Sequence, residues 1–209
     1  MNQMRQIALG MHNFESAYKH FPQAVTTGSD GKPWHSWRTR VLPFLDTSHH
    51  DYTYDQPWNH QKNQHYLAFL PEDFRCESVH KNSTGHKHVN YVVVIGEGTM
   101  FPPNRTVKFD DIKDGASNTI LLVESLNTGI NLTEPKDLDI ATMSFKINDS
   151  NMPSISSHHS GGVNVVFADG SATTISDKIK PAELRALLTI AGSEDVSRQN
   201  LVERGILGG

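Results

Sequence analysis

Among the first twenty positions, Met4, Ile7, Ala8, Met11, Phe14 and Tyr18 step by 3, 1, 3, 3 and 4, which draws one apolar stripe along a helix. Gln3, Arg5, Gln6, Asn13 and Glu15 fill the other faces, and Phe21 ahead of Pro22 is pushed out of the helical region, so the helix stops there. No Ser, Thr or Asp precedes the stripe as a cap, so the helix reads as cut into rather than begun. Residues 23–36 are dense in turn formers. Trp37, Val41, Leu42, Phe44 and Leu45 then make a short apolar patch interrupted by Pro43. Residues 46–65 form a polar, histidine-rich excursion, with one helical turn predicted over Asn63–Phe69.

From residue 88 the pattern becomes that of strands. His88–Ile95 is β-branched and ends at Gly96-Glu97-Gly98; a turn cluster at 110–115 feeds a compact apolar strand, Asn118–Glu124. Residues 127–157 carry no clear period. Val163–Ala168 and Ser171–Ile175 predict a hairpin closed by a two-residue Asp169-Gly170 turn of type I′. Pro181 opens a short helix with Leu184, Leu187, Leu188 and Ala191, closed by Gly192, and 193–209 read as a loosely held tail. The expectation is one α+β domain over 1–209, a long N-terminal helix (1–20) packed on an antiparallel, pilin-like sheet.

Composition narrows the function classes. A formal net charge of −4 lacks the basic excess of a nucleic-acid binder, and no apolar run approaches the roughly 18 residues of a membrane span. The single cysteine, Cys76, excludes an internal disulfide and, on this reading, any zinc site built from cysteine. Twelve histidines are the unusual count.

The familiar catalytic strings are missing: there is no G-x-S-x-G, H-E-x-x-H or P-loop, and no catalytic residue is assigned. Ser157, His159 and Asp169 do not suit a triad, because six extended residues would separate His159 from Asp169 by roughly 20 Å. Metal binding is the better chemical candidate. His86 and His88 share a face if extended, His80 is near, and zinc accepts imidazole with carboxylate. Asp110, Asp111 and Asp114 offer oxygen ligands for calcium, without the length of an EF-hand loop. Trp34, Trp37 and Trp58 suit burial under irregular segments or an aromatic ligand platform, with Arg38 or Arg40 stacked on an indole.

Several strings together resemble a large planctomycete-type family of prepilin-like proteins, a domain of unknown function with a C-terminal H-x9-D-G motif. They are Asn2–Asn13 with Phe21-Pro22, Ser36–Leu45, Tyr54–Asn59, Phe74–Cys76, Asn90–Val92, Asp114–Ile120 through Glu124, Gly161–Ser171 and Pro181–Leu188. His159, nine residues and then Asp169-Gly170 form the motif itself. The resemblance implies a prepilin leader and apolar helix upstream, a head outside the cytoplasm, and Cys76 paired with an upstream cysteine. It marks Trp37, Arg38, Asp114, Asn118, Glu124, His159, Asp169 and Gly170 as motif positions, read here as structural, with His159 hydrogen bonding at the start of the strand. The function implied is a non-enzymatic, pseudopilin-like envelope component of the type II secretion kind, partnered by other pilin-like subunits and anchored by a helix absent from this chain. The alternative is an extracytoplasmic ligand- or divalent-metal-binding module.

Overall fold

A computed structural model of the chain describes residues 1–45, 51–67, 70–76, 87–192 and 196–208. Helix α1 (Asn2–Tyr18) buries Met4, Ile7, Ala8, Met11 and Phe14, the stripe read from the sequence. It ends where Lys19 turns left-handed (φ 63°) and donates its N–H to Glu15 O. Gly10 lowers helix propensity but lets the backbone approach its neighbours. A Cβ there would sit 2.7 Å from Leu45 Cδ2 and 2.8 Å from Val41 Cγ1.

Strands β1 (Val25–Thr27) and β2 (Pro33–Ser36) pair antiparallel and lead into the short helix α2 (Trp37–Val41). Ser36 caps α2 by accepting from Arg38 N. In the histidine-rich excursion a 3-10 helix spans Gln61–Leu67, near the predicted turn.

The run expected as one strand from His88 to Ile95 is divided into β3 (Tyr91–Val92) and β4 (Val94–Ile95), which join different sheets. Val93 lies at the division: its N–H donates to the Asp137 carboxylate (3.0 Å) and its carbonyl accepts from Leu138 N. A buried acid more than forty positions away therefore diverts the chain. β5 (Ile120–Glu124), β7 (Gly162–Phe167) and β8 (Ala172–Ser176) complete a four-stranded antiparallel sheet in the order β3-β5-β7-β8. β6 (Leu138–Asp139) pairs with β4 in parallel. α1 packs against β5 and β7, so the molecule is an α+β fold with its core between helix and sheet.

The β7–β8 hairpin differs from the two-residue turn expected. Gly170 alone in the turn has positive φ (83°), and Gly170 N–H donates to Phe167 O while Phe167 N–H donates to Ser171 O. A type I′ turn needs positive φ at Asp169 as well, so the loop is a three-residue one, Ala168-Asp169-Gly170, with a left-handed glycine at its end. Asp169 Oδ1 accepts from Ser171 N and Oγ, which holds the loop in that form.

Helix α3 (Pro181–Ala186) is shorter than predicted. The segment expected to trail loosely includes α4 (Arg198–Glu203), whose Leu201 is buried, and Leu207 bridges to Ile175 of β8. Gly208 N–H donates to Thr174 O and Ser176 N–H to Ile206 O, so this segment covers the exposed edge of the sheet.

Candidate metal centre

The motif positions do two kinds of work. The larger group ties segments together at several places in the fold. Trp37 and Arg38 are fully buried, with the guanidinium over the indole at 4.9 Å, and both donate to Asp137 Oδ1 at 3.2 and 2.5 Å. Arg40 stacks on Tyr54 instead (4.5 Å). No apolar period or motif around Asp137 marks it out in the sequence. Its carboxylate is completely buried, and Oδ2 has no hydrogen-bond partner. Burial, opposed by Arg38 and by donors from Val93 and Trp37, pushes the Asp137 carboxyl up to about 6. The same burial holds Arg38 below its ordinary value.

Asp114 and Asn118 pin the C-terminal segment: Asp114 Oδ2 accepts from Gly192 N (2.8 Å) and Asn118 Oδ1 from Arg198 N (2.9 Å). Asp111 Oδ2 accepts from Lys108 N and pairs with Arg105. Asp111 and Asp114 of the acidic turn proposed for calcium thus engage backbone N–H groups and an arginine, and among the described residues the turn is not a cluster of converging ligands. Asp169 lies at the far end of β7 from His159, facing Ser171 and Arg198.

The second group was not foreseen as a unit. Cys76, Glu124 and His159 bring one thiol, one carboxylate and one imidazole together, with donor atoms all within 4.8 Å of one another. Each comes from a different segment. Glu124 is the last residue of β5, its side chain fully buried, and its Oε2 accepts from Asn164 N (3.3 Å) and Nδ2 (3.2 Å) on β7. Cys76 is held by Asn90 Oδ1, which accepts from Cys76 N–H at 3.0 Å. The Asn90 N–H in turn donates to Phe74 O, and its carbonyl accepts from Ser125 N. His159 is set just ahead of β7 by its N–H donating to Ser157 Oγ (2.9 Å), whose hydroxyl donates to Gly162 O.

The geometry limits the chemistry. His159 Nε2 lies 3.4 Å from Glu124 Oε1 and 3.8 Å from Cys76 Sγ. A nucleophilic triad needs the acid on one ring nitrogen and the nucleophile on the other. Here both face the same nitrogen, an arrangement for a shared central atom rather than a proton relay. Glu124 Oε1 is buried and accepts no hydrogen bond.

Of the histidines proposed from sequence as ligands, His88 is exposed, and His80 and His86 lie outside the described residues. His35 is structural: Nδ1 meets Tyr52 OH at 2.8 Å and Nε2 meets Tyr54 O at 3.2 Å, and burial lowers its pKa. Trp37 is buried while Trp34 and Trp58 are half-buried. A cleft of about 940 Å³ opens beside Ser125, Asn127, Asp137, Asn148 and Ser157 and does not include the three converging donors.

A family model described as a protein of unknown function (DUF1559) matches residues 1–97 and 135–182. That span contains Cys76 and His159 but not Glu124. No curated protein and no solved structure matches the chain.

Proposed function

Because the chain belongs to the DUF1559 family of proteins of unknown function, we propose that it serves as the non-enzymatic, pseudopilin-like head of a cell-envelope assembly of the type II secretion kind. The observation that carries this reading is α1. Its apolar stripe packs along β5 and β7, the helix-on-sheet arrangement expected of a pilin-like head. Leu9 remains exposed at 54%, an apolar side chain open to a neighbouring pilin-like subunit. The resemblance to prepilin-like proteins bearing H-x9-D-G adds a membrane-anchoring helix upstream and a head outside the cytoplasm. The convergence of donors on one nitrogen of His159 supports the absence of a catalytic triad.

The test is fractionation of the complete natural gene product. It should stay with membranes through an alkaline carbonate wash, with its head open to protease from outside the cytoplasm. Leu9→Arg should keep the anchor and lose cross-linking to neighbouring subunits. A product found only in the cytosol would overturn the reading.

A further inference from the structure

We propose that Cys76, Glu124 and His159 form a three-ligand site for a divalent transition-metal ion of the zinc class, its fourth position open to solvent beside His159. This goes beyond an assembly role and does not depend on it. Bonds of about 2.3 Å to sulfur and about 2.0–2.1 Å to nitrogen and oxygen place neighbouring donors of a tetrahedron about 3.3–3.6 Å apart. The nitrogen–oxygen separation here is 3.4 Å and the sulfur–nitrogen separation 3.8 Å. Both separations made by the imidazole nitrogen are therefore close to tetrahedral edges, and with all three donor atoms within 4.8 Å of one another the sulfur and the carboxylate reach a shared ion by side-chain adjustment.

Glu124 turns one buried oxygen, without a hydrogen bond, toward the His159 ring. Its Oε2 is satisfied by Asn164, whereas Oε1 is buried without a hydrogen bond and faces His159. A desolvated carboxylate oxygen is costly unless a cation stands opposite it. Asn164 orients this carboxylate and Ser157 positions His159, the kind of outer support that fixes metal ligands.

The donor set also selects the ion. A thiolate and an imidazole with one carboxylate suit zinc or its neighbours, while calcium and magnesium seek all-oxygen shells. His159, its side chain 34% exposed, forms the mouth of the site, and Cys76 and Glu124 form its buried floor. Three protein ligands leave one coordination position for water or an exogenous ligand.

Cobalt(II) is the probe. The chain, reduced and freed of metal with chelator, should take up one equivalent of Co²⁺. A near-ultraviolet thiolate-to-cobalt charge-transfer band and the visible bands of a four-coordinate ion should appear, and Zn²⁺ should bleach both. Cys76→Ser should abolish the charge-transfer band, and Glu124→Gln and His159→Gln should each weaken Zn²⁺ binding by roughly tenfold or more. His88→Gln should change nothing. The part-exposed position of His159 keeps the test open if a variant at buried Glu124 does not fold. No binding of either ion, cobalt bound without a thiolate band, or Zn²⁺ affinity unchanged in both Cys76→Ser and His159→Gln would each overturn the site. The last of these would move the ion to the other histidines.

Discussion

Asp137 shows how one residue can carry charge, packing and chain direction together. Its Oδ1 accepts from Trp37, Arg38 and Val93, so it stacks α2 against the strands and separates β3 from β4. Burial with Oδ2 unpartnered pushes its carboxyl from the usual value near 3.8 up to about 6. The sign follows from proton binding. Between those two values the folded chain holds a proton that the unfolded chain has released, so the contribution of Asp137 to stability falls as pH rises through that interval. The Asp137 carboxyl ¹³C shift should titrate with a midpoint near 6. In urea unfolding between pH 4 and 6, Asp137→Asn should remove this falling component. A midpoint below the ordinary aspartate value would mean that Arg38 outweighs desolvation.

At the scale of elements, the β7–β8 hairpin joins the two ends of the H-x9-D-G motif. His159 precedes β7 and Asp169-Gly170 close it, so the nine-residue spacing measures one strand plus its turn. Gly170 has φ +83°, and a Cβ would meet Nε2 of the half-buried His12 ring at 3.4 Å, an ordinary contact. Left-handed backbone costs an alanine about 1–2 kcal/mol. Gly170→Ala should therefore lower unfolding stability by about 1–2 kcal/mol in denaturant titration, with the three metal-ligand positions undisturbed. Loss of less than about 0.5 kcal/mol would show that the loop relaxes into another turn type.

For the whole molecule, the candidate metal centre links three segments that are far apart in the chain: the stretch after Phe74 that ends at Cys76, the end of β5 and the approach to β7. An ion bound there exists only in the folded state, so it adds to global stability by mass action. Zinc at a hundredfold excess over its dissociation constant contributes about 2.7 kcal/mol. For a chain of this size that raises the melting temperature by roughly 5–10 °C. The increase should shrink as pH falls, because the thiol and imidazole must be free of protons to bind. Thermal unfolding with and without Zn²⁺ measures it, and Cys76→Ser should abolish the increase. The C-terminal segment acts at the same scale: Leu201 and Leu207 bury themselves against the sheet and close its β8 edge.

Local order was written locally. The stripe from Met4 to Phe14 fixes which face of α1 is buried, because a helix repeats its faces every three to four residues whatever lies outside it. The short runs at 120–124, 162–167 and 172–176 likewise identify the central strands by their own residues. Tertiary structure decided the rest. The split of 88–95 is set by Asp137, the covering of the β8 edge by 196–208, and the hairpin's extra residue by the side chain of Asp169. The candidate site belongs to this second class. The lone Cys76 could be judged only against other cysteines in the sequence, and Glu124 read as the end of a strand. His159 has Asp169 as the acid of its own motif, and β7 holds those two apart. Coordination depends on donor atoms within a few ångströms, and residues separated by tens of positions acquire that proximity only when the sheet and its loops close.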